Sequence, residues 1–79
     1  MRLFETLDLS VQNDLAAASD LAFRTAIFRY PAIQRCGREE ATVGDVIAGL
    51  VTAAQLLNKP SLLIYAQRFG YRHAPRAAA

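Results

Sequence analysis

The stretch from residue 42 to residue 60 constrains the fold most, because it contains start and stop signals for one complete α-helix. Thr42, with Asp45 three residues later, is close to the capping-box pattern that begins helices. Asn58 suits the left-handed position that ends a helix, and Pro60 prevents its continuation. Between these signals, apolar residues recur at helical spacing on one face: Val43, Val46, Ile47, Leu50, Ala54 and Leu57. The sequence therefore predicts an amphipathic helix whose apolar face must pack against other elements.

The other side of this predicted helix carries small residues, Gly44, Ala48 and Thr52. Such side chains would let a second backbone approach closely, or would form a plain solvent-facing surface. Glycine inside a helix costs roughly 1 kcal/mol relative to alanine. The two glycines of this segment, Gly44 and Gly49, therefore favour a packing role.

A helix on the N-terminal side begins near Ser10, a good N-cap residue, and is limited by Pro31. One stripe of it is apolar, formed by Val11, Leu15, Ala18, Ala22 and Ala26. Phe23 and Ile27 fall outside that stripe. A helix that is apolar on more than one side is central in its bundle or contacts a second molecule. We therefore predict Phe23 and Ile27 as a contact between two copies in a homodimer.

A helix on the C-terminal side begins at Pro60, whose missing N–H costs nothing at the first helical position, and ends at Gly70. Its predicted apolar face consists of Leu62, Tyr65, Ala66 and Phe69. The connector over residues 32–41 has room for one helical turn that ends at Gly37.

These elements predict an all-α fold, a small bundle of three main helices with a short fourth helix in the connector. The length of 79 residues fits one domain. We assign residues 1–73 to that helical domain and residues 74–79 to a disordered basic and alanine-rich tail. The single cysteine excludes an intramolecular disulfide, and no apolar run is long enough to span a membrane. We therefore predict a cytoplasmic protein with no membrane partner.

The chain lacks the residues that most catalytic and cofactor sites need. It has one cysteine, Cys36, and one histidine, His73, whereas a structural zinc site takes four such ligands. A Cys36–His73 pair would have nothing else to support it, and no glycine-rich phosphate loop is present. We therefore predict that the protein is not an enzyme and holds no cofactor and no metal, with Cys36 as a semi-buried apolar residue.

Charge is distributed unevenly along the sequence. Residues 1–23 contain one arginine and four acidic residues, whereas residues 46–79 contain four basic residues and no acidic one. This asymmetry could steer an anionic partner to the C-terminal half. The plainer interpretation is that the two ends of the chain pack near one another, or that the charges are simply solvated.

The segment from Thr52 to Ile64 resembles a helix-turn-helix of the sort found in small phage excisionases and repressors. Ala54 matches the small residue of that motif, Asn58 its turn position, and Ile64 its buried aliphatic. The resemblance implies a DNA-binding regulator that uses residues 52–69. However, the outward positions predicted for the second helix are mostly apolar: Ser61, Leu62, Tyr65, Ala66 and Phe69. With only Ser61, Gln67 and Arg68 suited to base contacts, DNA binding is the alternative hypothesis.

Protein binding is the main hypothesis. The seven aromatic residues cannot all fit inside so small a bundle, so an apolar cluster should remain exposed. Tyrosine and arginine are enriched at binding hot spots. We predict a protein-binding site formed by Tyr65, Arg68, Phe69 and Arg72, although Phe69 could instead close the core. The predicted function is a small adaptor, assembly subunit or stoichiometric inhibitor of a larger protein, of the kind common among mobile-element accessory proteins.

Overall fold

The computed structural model describes residues 2–25 and 31–73, and within these ranges every regular element is helical. The chain opens with a 3-10 turn over Leu3–Thr6. Four α-helices follow: α1 over Leu9–Thr25, α2 over Pro31–Cys36, α3 over Val43–Leu57 and α4 over Ser61–His73. This confirms the predicted all-α bundle of three main helices, and α2 is the predicted short helix of the connector.

Helix α3 lies at the centre of the fold and contacts α1, α2, α4 and the 3-10 turn. Its inward side chains Val46, Leu50 and Ala53 are completely buried. Leu15 of α1, Ile33 of α2 and Leu62 of α4 pack into the same core. The helix with the clearest start and stop signals in the sequence is therefore the one around which the others assemble.

Both ends of α3 form as their sequence signals predict. The Asp45 N–H donates to the Thr42 hydroxyl oxygen over 3.1 Å, and the Thr42 N–H donates to the Asp45 carboxylate over 3.0 Å. At the other end Asn58 is left-handed, with φ 50° and ψ 49°, and its N–H donates to the carbonyls of Ala54 and Gln55. These bonds satisfy backbone groups that a helix leaves without internal partners.

Helix α1 begins one residue before the predicted N-cap. The Asp8 carbonyl accepts the N–H of Gln12 over 2.9 Å, so the first helical bond starts at Asp8 and Ser10 lies inside the helix. The predicted inward stripe is confirmed for its described members, the buried residues Val11, Leu15, Ala18 and Ala22. Ala26 and Ile27 lie outside the described residues.

Helix α4 does not end at Gly70, so that part of the prediction is wrong. The helix continues to His73, and no glycine in the described part of the chain has a positive φ. A β-carbon at Gly70 would lie 3.3 Å from the Cδ1 atom of Ile47. Gly70 thus lies against the Ile47 side chain of α3 and has no terminating role. The predicted disordered tail, 74–79, lies outside the described residues.

A close contact between helices occurs at Gly49, outside the predicted surface of small residues. A β-carbon at Gly49 would lie 2.7 Å from both the Cβ and the Sγ atoms of Cys36. By contrast, Gly44 is exposed, with its nearest neighbour atom 3.7 Å from such a position. Glycine at position 49 therefore allows α2 to pack directly on α3.

Two contacts bring the N-terminal part of the chain near its C-terminal part, which is one of the two plainer interpretations of the charge asymmetry. The Lys59 ammonium lies 2.9 Å from an Asp14 carboxylate oxygen. The Asp8 N–H donates to the Tyr65 hydroxyl oxygen over 3.0 Å. Among the described residues, no helix is both long and apolar enough to cross a bilayer.

Candidate interaction surface

Helix α4 has a second apolar face, directed away from the core. Its inward side chains are Leu62, Ala66 and Phe69, which are buried against α3. On the outward side, Leu63, Ile64 and Tyr71 are 45%, 54% and 75% exposed. Gln67, Arg68 and Arg72 are exposed on the same side. We call these six residues the outer face of α4, and they confirm the prediction that an apolar cluster stays exposed.

The outer face combines an apolar strip with a cationic edge. At 100° per residue, Leu63, Gln67 and Tyr71 follow one another along the helix at i, i+4 and i+8. Arg68 and Arg72 form a parallel row beside them, one turn apart. Helix α4 contains no acidic residue, so this edge has no counter-charge on its own helix. The face is therefore suited to an apolar partner surface with acidic residues at its border.

The structure does not bring the four predicted binding residues together on one surface. Phe69 is 4% exposed and forms an edge-to-face contact with the His73 ring, with centroids 4.3 Å apart. Phe69 is therefore a core residue and cannot form part of an exposed surface in this fold. Tyr65 is half-buried and accepts the Asp8 N–H. Only Arg68 and Arg72 are fully exposed.

Two parts of the helix-turn-helix interpretation are wrong. Ile64, expected to be buried, is 54% exposed, because Leu62 occupies the core position instead. The positions predicted to point outward include Leu62, Ala66 and Phe69, all of which are buried. Three residues suited to base contacts, Ser61, Gln67 and Arg68, are exposed, but Leu63, Ile64 and Tyr71 share that side of the helix.

The sequence analysis did not identify Leu63, Ile64 and Tyr71 as surface residues. The signal was present, because Leu62, Ala66 and Phe69 were already predicted to form the apolar face of this helix. In a helix, the residues one or two positions after a core residue point away from the core. The second apolar face was not predicted because residues such as Phe69 were assigned to both the core and the binding surface.

Phe23 lies on another part of the surface, on α1. Its side chain is 84% exposed, the largest value among the big apolar residues of the described chain. The neighbouring Arg24 forms an ion pair with Asp20 over 3.2 Å. The other predicted dimer residue, Ile27, lies outside the described residues, so the dimer contact stays a prediction.

The Cys36 thiol is not available as a nucleophile in this fold. It is 2% exposed and donates to the Ile33 carbonyl oxygen over 3.0 Å. Burial raises the pKa of Cys36; the backbone hydrogen bond lowers it by less, and the nearby negative charge of Asp45 adds a still smaller increase. Cys36 is therefore a neutral packing residue, more deeply buried than the semi-buried role predicted for it.

Comparisons of the chain with protein-family models, with curated proteins and with solved structures find no match.

Proposed function

We propose that this chain is a non-enzymatic protein-binding module that acts on a larger protein as an adaptor, assembly subunit or stoichiometric inhibitor. The outer face of α4 is the proposed contact surface. The observation that supports this most is the exposure of Leu63, Ile64 and Tyr71 on one side of a helix whose other side is buried. These side chains do not pack in the core, so a partner could bury them on binding.

The residue types on the outer face indicate which kind of surface a partner would present. Helix-in-groove recognition uses apolar anchors at i, i+3, i+4 and i+7 spacings, and Ile64 and Tyr71 are seven residues apart. Tyr71, Arg68 and Arg72 are the residue types most enriched at binding hot spots. The proposed partner surface is an apolar groove that is bordered by Asp or Glu opposite the two arginines.

The experiment compares two variants of the whole chain in affinity capture from the lysate of its source cells, followed by quantitative mass spectrometry. The first is the double variant Ile64→Ser with Tyr71→Ser, and the control is Phe23→Ser, which also removes an exposed apolar residue. Surface changes of this kind usually alter stability by less than about 0.5 kcal/mol, which a thermal melt checks.

The expected result is a protein retained by the wild-type chain and by Phe23→Ser but lost from the double variant. Direct titration of that protein should then show affinity falling at least about tenfold in the double variant, or 1.4 kcal/mol. Equal capture by all three chains, or no protein retained specifically by the wild type, would contradict the proposal.

A homodimer through Phe23 is a separate part of the proposal. Full exposure of a phenylalanine ring on α1 supports it. Sedimentation equilibrium of the wild type and of Phe23→Ser tests it directly. A wild type that stays monomeric at millimolar concentration would exclude this dimer without affecting the α4 surface.

DNA binding is the second candidate function, since Ser61, Gln67, Arg68 and Arg72 are exposed on the side of α4 that a reading helix would present. Fluorescence anisotropy with mixed-sequence duplex DNA, at low and at moderate salt, separates the two functions. Micromolar binding that falls steeply with salt indicates phosphate contacts and favours this candidate. No binding at low salt excludes it.

A further inference from the structure

A concave site separate from the outer face of α4 lies between the 3-10 turn, α1 and α2. The cleft has a volume of about 330 Å³. Its apolar wall is formed by Phe4, Leu15 and Ile33, one residue from each of the three elements. This volume is at the lower end of the roughly 300–1,000 Å³ typical of small-molecule sites.

The cleft exists because α1 presents small residues where it faces α2. Ala16 and Ser19 line it from α1, and neither side chain is long enough to reach across to the opposite wall. Meanwhile the lack of a side chain at Gly49 lets α2 pack closely on α3, since a β-carbon there would lie 2.7 Å from Cys36. Helix α2 packs more extensively on α3 than on α1, and the cleft lies between α1 and α2.

The border of the cleft is cationic. Arg2 and Arg38 both line it, and none of the described lining residues is acidic. The Arg2 guanidinium is fixed by donating to the Gly37 carbonyl over 3.2 Å, and it lies 3.4 Å from a Glu5 carboxylate oxygen. Arg38 forms no ion pair with the described part of the chain. An anion in the cleft would therefore supply a counter-charge to Arg38, whereas Arg2, already paired with Glu5, would add hydrogen-bond donors.

We propose that this cleft binds a small carboxylate whose apolar body is about the size of one aromatic ring. The ring would pack against Phe4, Leu15 and Ile33, and the carboxylate would accept hydrogen bonds from Arg2 and Arg38. Guanidinium groups suit this role because their fixed donors match carboxylate geometry. The site shares no residue with the outer face of α4, so it is independent of the proposed function.

The test is a titration of the ¹⁵N-labelled chain, followed by NMR, with three ring compounds of similar shape. Phenylacetate carries the carboxylate, phenylacetamide is its neutral isostere, and phenethylamine is cationic. We expect phenylacetate to shift the amides of Ser19, Gln34 and Arg38 with a dissociation constant of about 1 mM or lower. Phenylacetamide should bind at least about tenfold more weakly, and phenethylamine more weakly still.

Variants then locate the site. Arg38→Gln should weaken phenylacetate about tenfold, while Arg24→Gln, which removes an arginine outside the cleft, should leave its affinity unchanged. Ala16→Leu extends a side chain into the cleft and should abolish binding, and a thermal melt verifies that this variant folds.

Several results would overturn the proposal. The first is phenylacetamide binding as tightly as phenylacetate, because the arginines would then have no role. Undiminished phenylacetate binding by Arg38→Gln would have the same meaning, and undiminished binding by Ala16→Leu would place the ligand elsewhere. Absence of amide shifts with any of the three compounds would show that the cleft is not a ligand site.

Discussion

Replacing Gly49 by alanine tests the tightest packing in the fold. The added β-carbon would lie 2.7 Å from the Cβ and Sγ atoms of Cys36, and 3.2 Å from the Ala32 carbonyl oxygen. The Cys36 Cβ and the Ala32 oxygen are fixed to the backbone of α2, so relief requires the whole of α2 to move away from α3. Overpacking of this kind costs about 1–3 kcal/mol, and contacts this short indicate the upper end. Alanine recovers about 1 kcal/mol of helix propensity, so we expect a net loss of about 2 kcal/mol.

A loss of this size would be easy to measure. A domain of 79 residues has a free energy of unfolding of roughly 4–12 kcal/mol, so 2 kcal/mol is a large fraction of the total. In a protein of this length each kcal/mol also shifts the melting temperature by about 4–8 °C. Urea unfolding followed by circular dichroism should therefore show a lower midpoint, with the slope unchanged if only packing is affected.

Gly44→Ala is the matched control. It makes the same change in the same helix, but the nearest atom to the added β-carbon is the Thr42 hydroxyl oxygen at 3.7 Å. This variant should be as stable as the wild type or more stable by up to about 1 kcal/mol. If Gly49→Ala behaved like Gly44→Ala, the close packing of α2 on α3 would be refuted.

Substitutions at three other positions test other parts of the fold. Asn58→Ala should lower the free energy of unfolding by about 1 kcal/mol because φ is 50° at this position, whereas Asn58→Gly should not. Equal melting temperatures of these two variants would exclude the left-handed cap. Gly70→Ala should raise the melting temperature slightly, because the atom that the new β-carbon would approach, Ile47 Cδ1 at 3.3 Å, is the end of a flexible side chain; a clear decrease would show that Ile47 cannot move aside. Because the pKa of Cys36 is raised in the fold, its contribution to stability is fully present below the ordinary thiol pKa and declines above it, by at most about 1.4 kcal/mol per pH unit. Urea midpoints of the wild type should therefore fall more steeply with alkaline pH than those of Cys36→Ala, and parallel curves would contradict this.

The ends of α3 could be predicted from the sequence because the interactions that form them are local. Thr42 and Asp45 are three residues apart, and the Asn58 N–H bonds to carbonyls only three and four residues before it. No other part of the chain has to be placed before these bonds can form. The inward stripe of α1 was predictable for a related reason, since helical spacing alone brings its members to one side.

The features that the sequence analysis missed depend on contacts between distant elements. Gly70 has the same local signature as a helix-ending glycine, and only its contact with Ile47, 23 positions earlier, distinguishes the two roles. Gly49 and Cys36 likewise lie on different helices, so nothing in either local sequence indicates that they meet. Predicting the cleft beside Ala16 would require the distances between the 3-10 turn, α1 and α2, which the sequence does not give.

The inward and outward side chains of α4 contribute differently to the stability of the fold. Removing a buried side chain such as Leu62 would cost the transfer free energy of its atoms and leave a cavity, whereas Tyr71 contributes little to the core. Exposed apolar area is no obstacle to folding, because it is also exposed in the unfolded chain, but it favours association with any surface that can cover it. The proposed function therefore places the partner on the outer face of α4 and not on a residue of the core. Arg68 and Arg72 would disfavour a like-charged partner, which would bring uncompensated positive charge against them.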